Sequence, residues 1–154
     1  MSFDTRNGTR GGRQPGRRLL RWVNKLAARR IARNGRMPGL HFDALVLITV
    51  GKTSGLERRS PVGWFPGGDG SWLIVAAAAG APKNPAWYYN LAPHPDQVRI
   101  ELKGRTVVVT AEQLHGAERV EAWHQITTTA PQFGKYQQQT DRELPVIRLV
   151  PEAA

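Results

Sequence analysis

The stretch LITVGKTSGLERRSPV, residues 47–62, decides how the rest of the chain is read. Its Gly51-Lys52-Thr53 looks like the end of a phosphate-binding P-loop, but that motif needs a glycine five residues before its last one. Val46 holds that position. The run from Leu45 to Val50 is β-branched and apolar, so a strand stands where a P-loop would curl. What remains is a strand running into a short loop loosened by Gly51 and Gly55. The loop carries hydroxyls at Thr53 and Ser54 and cations at Lys52, Arg58 and Arg59. Backbone N–H groups in a glycine loop beside cations suit an anion. A hairpin turn with solvated charges fits the same residues.

Working outward, the pattern predicts short strands over Ala44 to Val50, Glu57 to Phe65 and Trp72 to Ala78, the last two closing a hairpin over the turn cluster PGGDGS at 66–71. Asn84 as N-cap and Pro85 at the first helical position predict a short helix over 86–91, stopped before Pro93. Gln97 to Leu102 and Thr106 to Gln113 pair across Lys103-Gly104-Arg105. A helix follows from Ala117 to about Thr128, with Val120, Trp123, His124 and Ile126 or Thr127 facing in. Past Pro131 comes a loop or short helix, and Pro145 to Val150 closes the sheet. Six short strands, mostly hairpin-linked, predict a mainly β (α+β) domain built on a small antiparallel barrel with flanking helices.

Composition narrows the function classes. The chain has 154 residues, enough for one domain with a real core. It has no cysteine, and His41, His94, His115 and His124 show no paired ligand spacing, so no metal site is expected. No apolar run approaches a membrane span, and no signal-peptide pattern opens the chain, which makes the cytoplasm the expected location. The net charge of +10 is unevenly placed: residues 1–36 hold 11 Lys/Arg and one acid, while residues 37–154 hold 11 of each sign. A neutral body argues against a nucleic-acid face on the domain. Residues 1–16 read as a disordered basic tail. Residues 17–36 read as a basic amphipathic helix, with Leu19, Trp22, Val23, Leu26, Ala27 and Ile31 on one stripe. Such a helix packs its stripe on the domain, or lies peripherally on an anionic membrane at the inner face.

The segments TVGKTSGLERRSPVGWF, SWLIVAAAAGAPKNPAWYYNLAPHP and YQQQTDRELPVIRLVP resemble the deazaflavin-dependent nitroreductase family, over about residues 42–151. The Asn-Pro-x-Trp-Tyr-x-Asn-Leu block at 84–91 and the Thr-Asp-Arg-Glu-x-Pro block at 140–145 carry the resemblance. It implies a split β-barrel over residues 37–154 that binds coenzyme F420, whose anionic part is a phosphodiester with an oligoglutamate tail. By position it implies Lys52, Thr53, Ser54 and Arg58 at the phosphate, with Arg59 beside them. Ser60, Pro61, Val62 and Gly63 would run under the coenzyme and Ala76, Ala77, Ala78 and Ala79 along the ring edge. Ala86, Trp87, Tyr88, Tyr89 and Asn90 would form the pocket wall. Trp64, Phe133 and Tyr136 would face the substrate, with Tyr136 as the candidate proton donor.

The chain departs from the family pattern in its loop, which has one cation fewer, and at Ala78-Ala79, where Ser-Lys is usual. It also has Ala130 and Phe133 in place of tyrosines. The implied activity is hydride transfer from reduced F420 to a small hydrophobic, electron-poor acceptor: a quinone, enone, unsaturated lactone or nitroaromatic. The alternatives are an oxidoreductase using flavin mononucleotide (FMN) and a lipid- or cofactor-binding barrel without catalysis. Related barrels often pair as homodimers.

Overall fold

The computed structural model describes residues 3–12 and 42–152. The basic helix expected over residues 17–36 lies outside the described residues. Seven strands form one antiparallel sheet: β1 (Ala44–Val50), β2 (Glu57–Gly63), β3 (Phe65–Pro66), β4 (Trp72–Val75), β5 (Val98–Leu102), β6 (Arg105–Gln113) and β7 (Val146–Pro151). Their order is β2-β1-β5-β6-β7-β4-β3. β2 and β3 are therefore the two ends of the sheet, yet only Trp64 separates them in sequence. A chain that crosses from one end of a sheet to the other in one residue requires the sheet to curl onto itself. This is a split barrel, and Trp64 sits at its seam, donating its N–H to the carbonyl of Asp43.

That corner corrects one sequence expectation. The strand expected over Glu57 to Phe65 breaks at Trp64, and its body pairs with β1, from Ala44↔Gly63 to Val50↔Glu57. Only Phe65 and Pro66 pair with β4. A period of two runs through a corner unchanged, so the pattern could not reveal it. β2 tolerates Pro61 because it is an end strand, where a missing N–H costs no ladder bond. The β5–β6 hairpin turns on Lys103 and Gly104 with Leu102↔Arg105 paired; both turn residues have positive φ, as a two-residue hairpin needs.

β5 alternates, with Val98, Ile100 and Leu102 inward and Arg99 and Glu101 outward. β1 is buried from Ala44 to Thr49, so both of its faces are covered. The main core joins Leu45, Leu47, Ile74, Leu91, Val98, Ile100, Val109 and Leu149. A second core gathers Phe65, Val75, Ala77, Leu114, Ile126, Phe133 and Leu144. Each fully buried Leu or Ile contributes about 1.5–3 kcal/mol.

Among the described residues, three α-helices flank the sheet: α1 (Ala86–Leu91), α2 (Gly116–Thr129) and α3 (Gln132–Gln139). α2 is rotated from its expected face. It buries Ala122 and Ile126, while Val120 is 67% exposed and His124 is also exposed. Its apolar residues are too few to fix a stripe, and stacking of Arg119 on Trp123 at 5.2 Å helps set the rotation. The Asn84 side chain does not cap α1, whose N-cap is Pro85.

Residues 3–12, expected to be part of a disordered tail, run as an extended strap along the barrel. Phe3 packs edge-on against Tyr88 at 5.9 Å. The Gly8 N–H donates to the carbonyl of Pro82 and the Gly12 N–H to that of Gly80. The hydroxyl and amide of Thr9 both donate to Asp141. Glycine makes this approach feasible: a Cβ on Gly11 would stand 2.5 Å from the Gly80 oxygen. Low hydrophobicity suggested disorder, but backbone hydrogen bonds and missing side chains hold the segment, and neither shows in a hydropathy pattern.

Candidate active site

The site is assembled from two loops joined by α1. The first, residues 51–56, is the stretch that ends β1. The Gly51 N–H donates to Leu56 O, the Gly55 N–H to Gly51 O and the Leu56 N–H to Ser54 Oγ. The Lys52 N–H is taken by Asn90 Oδ1 at 2.9 Å. Among the described residues, the N–H groups of Thr53 and Ser54 remain without an acceptor. The Lys52 and Arg58 side chains are exposed and have no acid partner there. Arg59 does have one: it grips Glu101 with two contacts of 2.9 Å and approaches Glu57 at 3.8 Å. That hydrogen bond raises the Arg59 guanidinium above its ordinary value and holds the Glu101 carboxyl below the usual range. The expected anion cluster thus reduces to Lys52, Arg58, two backbone N–H groups and the nearby hydroxyls. Arg59 is committed to the barrel surface.

The second loop runs from Ala76 to Asn84. Ala78 and Ala79 both adopt positive φ, 48° and 53°, without being glycine. Each costs about 1–2 kcal/mol in that region. Ala77 just before them is right-handed, at φ −81° and ψ −41°. Right-handed followed by left-handed residues turns successive N–H groups to one side, a concavity that receives oxygen atoms.

The strain is held in place by Arg142. This side chain is only 2% exposed, and all five of its N–H donors are used. Nε donates to Ala81 O, Nη1 to Ala76 O and Asn84 Oδ1, and Nη2 to Ala77 O and Ala81 O, at 2.5–3.1 Å. Burial pushes its pKa down. Local pattern gave no sign of this role: Arg142 was visible only as one letter of the block at 140–145. The block itself is a knot, with Thr140 Oγ1 accepting from the Arg142 N–H and Gln137 bonded to both Arg142 O and Leu144 N–H.

α1 links the two loops. Asn90, expected to wall the pocket, is buried and bridges Lys52 N–H and Thr49 Oγ1, so its side chain positions the first loop. Trp87 and Tyr88 belong to the main core. The Tyr88 hydroxyl donates to Gln113 Oε1 and accepts from the Thr5 N–H, which commits it to the barrel and the strap. Tyr89 is half-buried, with its hydroxyl on Asn7 of the strap, and Ala86 is exposed. On β2, Ser60, Pro61 and Val62 are half-buried, with Val62 against the main core. Gly63 is covered on one side: a Cβ there would meet the Phe42 ring at 2.1 Å.

Phe133, expected at the substrate, is 8% exposed, and its ring packs with those of Phe42, Phe65 and Tyr136. Trp64 is half-buried against the main core. Tyr136 is half-buried and packs on the cluster that contains Ala77. Its hydroxyl makes no hydrogen bond among the described residues. No helix among them is long and apolar enough to cross a membrane.

Known proteins resemble this arrangement. Residues 20–151 match the family described as F420H(2)-dependent quinone reductase. An F420H(2)-dependent quinone reductase of Mycobacterium tuberculosis (strain ATCC 25618 / H37Rv) is 33% identical over 117 residues, covering 74% of this chain and 76% of that protein. The solved structure of an F420-H2 dependent reductase (FDR-A) superposes with a TM-score of 0.62 at 30% identity, over 72% of this chain and 99% of its own. A second structure, described as a domain-swapped dimer, gives 0.63 at 31% identity, over 83% and 96%. The chain belongs to the F420H(2)-dependent quinone reductase family of oxidoreductases.

Proposed function

We propose that this chain passes a hydride from reduced coenzyme F420 to a hydrophobic quinone or a comparably electron-poor enone. The observation that carries the reading is the first loop, where Lys52 and Arg58 stand without acid partners among the described residues, beside the N–H groups of Thr53 and Ser54. That donor set fits a phosphodiester with an acidic tail, since charge-assisted contacts favour such an anion. The second loop fits the other end of the coenzyme, because its right-handed-to-left-handed turn shapes a concavity of the kind that suits the edge of a deazaflavin. When bound, the reduced coenzyme supplies the hydride.

The protein's part is to bind, orient and exclude water. Lys52 and Arg58 hold the anion, and Asn90 fixes the loop that presents them. Ala78 and Ala79, the accessible alanines of the second loop, offer a small, apolar edge that favours carbon-rich acceptors over polar nitro-imidazoles. Tyr136, whose hydroxyl makes no hydrogen bond among the described residues, holds the proton that completes the reduction. The basic segment at 17–36 keeps the enzyme close to anionic membrane, where such acceptors dissolve.

Titrating the purified chain with F420, following deazaflavin fluorescence, tests the reading, with FMN as the parallel ligand. Arg58→Ala should weaken F420 binding by about 1.5–3 kcal/mol, roughly ten- to a hundredfold. Unchanged affinity in that variant, or tighter binding of FMN, defeats the proposal.

A further inference from the structure

We infer that Arg142 is the positioning residue of the coenzyme-edge loop, its buried guanidinium setting which way the peptides of residues 76–81 face. The inference rests on the proposed function above and adds a residue that does not touch the coenzyme.

The carbonyls of Ala76, Ala77 and Ala81 all turn inward to the guanidinium. In a trans peptide the C=O and the following N–H point in opposite directions. Drawing in Ala76 O and Ala77 O therefore fixes the orientation of the two peptides that follow, and with it the shape the loop presents to the ring edge. Ala78 and Ala79 have no conformational reason of their own to hold positive φ. Without a clamp, the loop relaxes toward ordinary backbone angles and its N–H groups scatter.

The clamp has the geometry this task needs. Its acceptors are four carbonyl contacts and one amide oxygen, with no carboxylate among them. A lysine in this place would keep the charge but offer three donors on a flexible stem instead of a planar fork of five. The fork also reaches Asn84, whose Nδ2 donates to Thr5 O. One buried side chain thus ties the loop, the start of α1 and the strap together. The anion loop at 51–56 is held by its own internal bonds and by Asn90 near the far end of α1, and it makes no hydrogen bond to Arg142 among the described residues.

The two ends of the coenzyme should therefore respond separately. The test uses the full chain with F420 and a water-soluble naphthoquinone. Arg142→Lys should leave the dissociation constant for F420 within a few-fold of wild type, because the anion end is intact. Its kcat at saturating F420 should fall at least roughly tenfold, since misplacing reacting groups by about 1 Å costs about a hundredfold. A merely structural arginine predicts the reverse: a lower melting temperature with kcat per folded molecule unchanged. That result overturns the inference.

If Arg142→Lys does not fold, Asn84→Ala decides, since it removes one of the five bonds and leaves the guanidinium in place. A several-fold loss of kcat with unchanged F420 affinity supports the inference, and wild-type kcat overturns it. If the wild-type chain itself fails to bind F420, the functional reading has failed, and this inference falls with it.

Discussion

The turn at 51–56 closes on itself, whereas the loop at 76–84 is held from outside. In the first, all of the backbone bonds but one run between residues no more than five apart. Gly55 supplies the positive φ, and nothing lies within 4 Å of its Cβ position. In the second, two alanines share the positive φ with Gly80, and the clamp comes from about 60 residues further along the chain. Short-range turns of the first kind are encoded where they occur. A loop of the second kind is encoded elsewhere, and a residue-by-residue reading of 76–81 finds only alanine and glycine.

This contrast can be broken, or sharpened, by substitution. The largest effect is expected at Gly80, which has φ of +78° and whose added Cβ would stand 2.7 Å from the Tyr136 carbonyl. Gly80→Ala combines backbone strain with a clash and should cost about 2–4 kcal/mol in a denaturant melt. Gly55→Ala, at a similar φ but in open space, should cost only about 1–2 kcal/mol. Equal losses at the two glycines would show that strain alone matters and that the external hold on the second loop is unimportant.

Asn90→Ala comes next. It leaves the Lys52 N–H and Thr49 Oγ1 without their partner, at about 1–3 kcal/mol. F420 affinity should fall with stability, because this one amide connects the self-closed turn to α1. Retained affinity would mean that the turn is complete without it.

A smaller effect is expected at Asp141, where the strap is fastened. The Thr9 hydroxyl and amide, with the Arg10 amide, hold its carboxyl down to about 2. A depressed carboxylate favours the fastened state above its unfolded value of about 3.9 and loses that preference as pH falls from there toward 2. The chain has no cysteine, so a single fluorophore can be placed with Arg6→Cys. Its anisotropy should drop over pH 4 to 2, and Asp141→Asn should lower it already at pH 7. A flat profile in both proteins would show that the glycine contacts hold the strap without the carboxylate.

The contrast also explains what the sequence could and could not disclose. The strand Leu45 to Val50, the turn after it, the β5–β6 hairpin and helix 86–91 were legible because their signals are local: β-branched runs, Gly at a turn, Pro at a helix start. The seam at Trp64 was not, because a barrel corner leaves the alternation intact. Phe133 and Tyr88 read as pocket residues in the sequence because large aromatics look alike there whether they line a site or fill a core. Arg59 was grouped with its neighbours by charge, and only the sheet shows that Glu101 claims it. The strap was hidden for a simpler reason: glycines that permit close approach and glycines that permit disorder are the same residue.

The strap is joined to the barrel by residues very far apart in the chain. The Thr9 and Arg10 amides meet Asp141 across 132 and 131 residues, and Thr5 meets Gln113 across 108 and Tyr88 across 83. Contacts at such separations reward the chain only after a long loop has closed, so they form late. The strap is therefore expected to dock last in refolding, onto a sheet that has already formed.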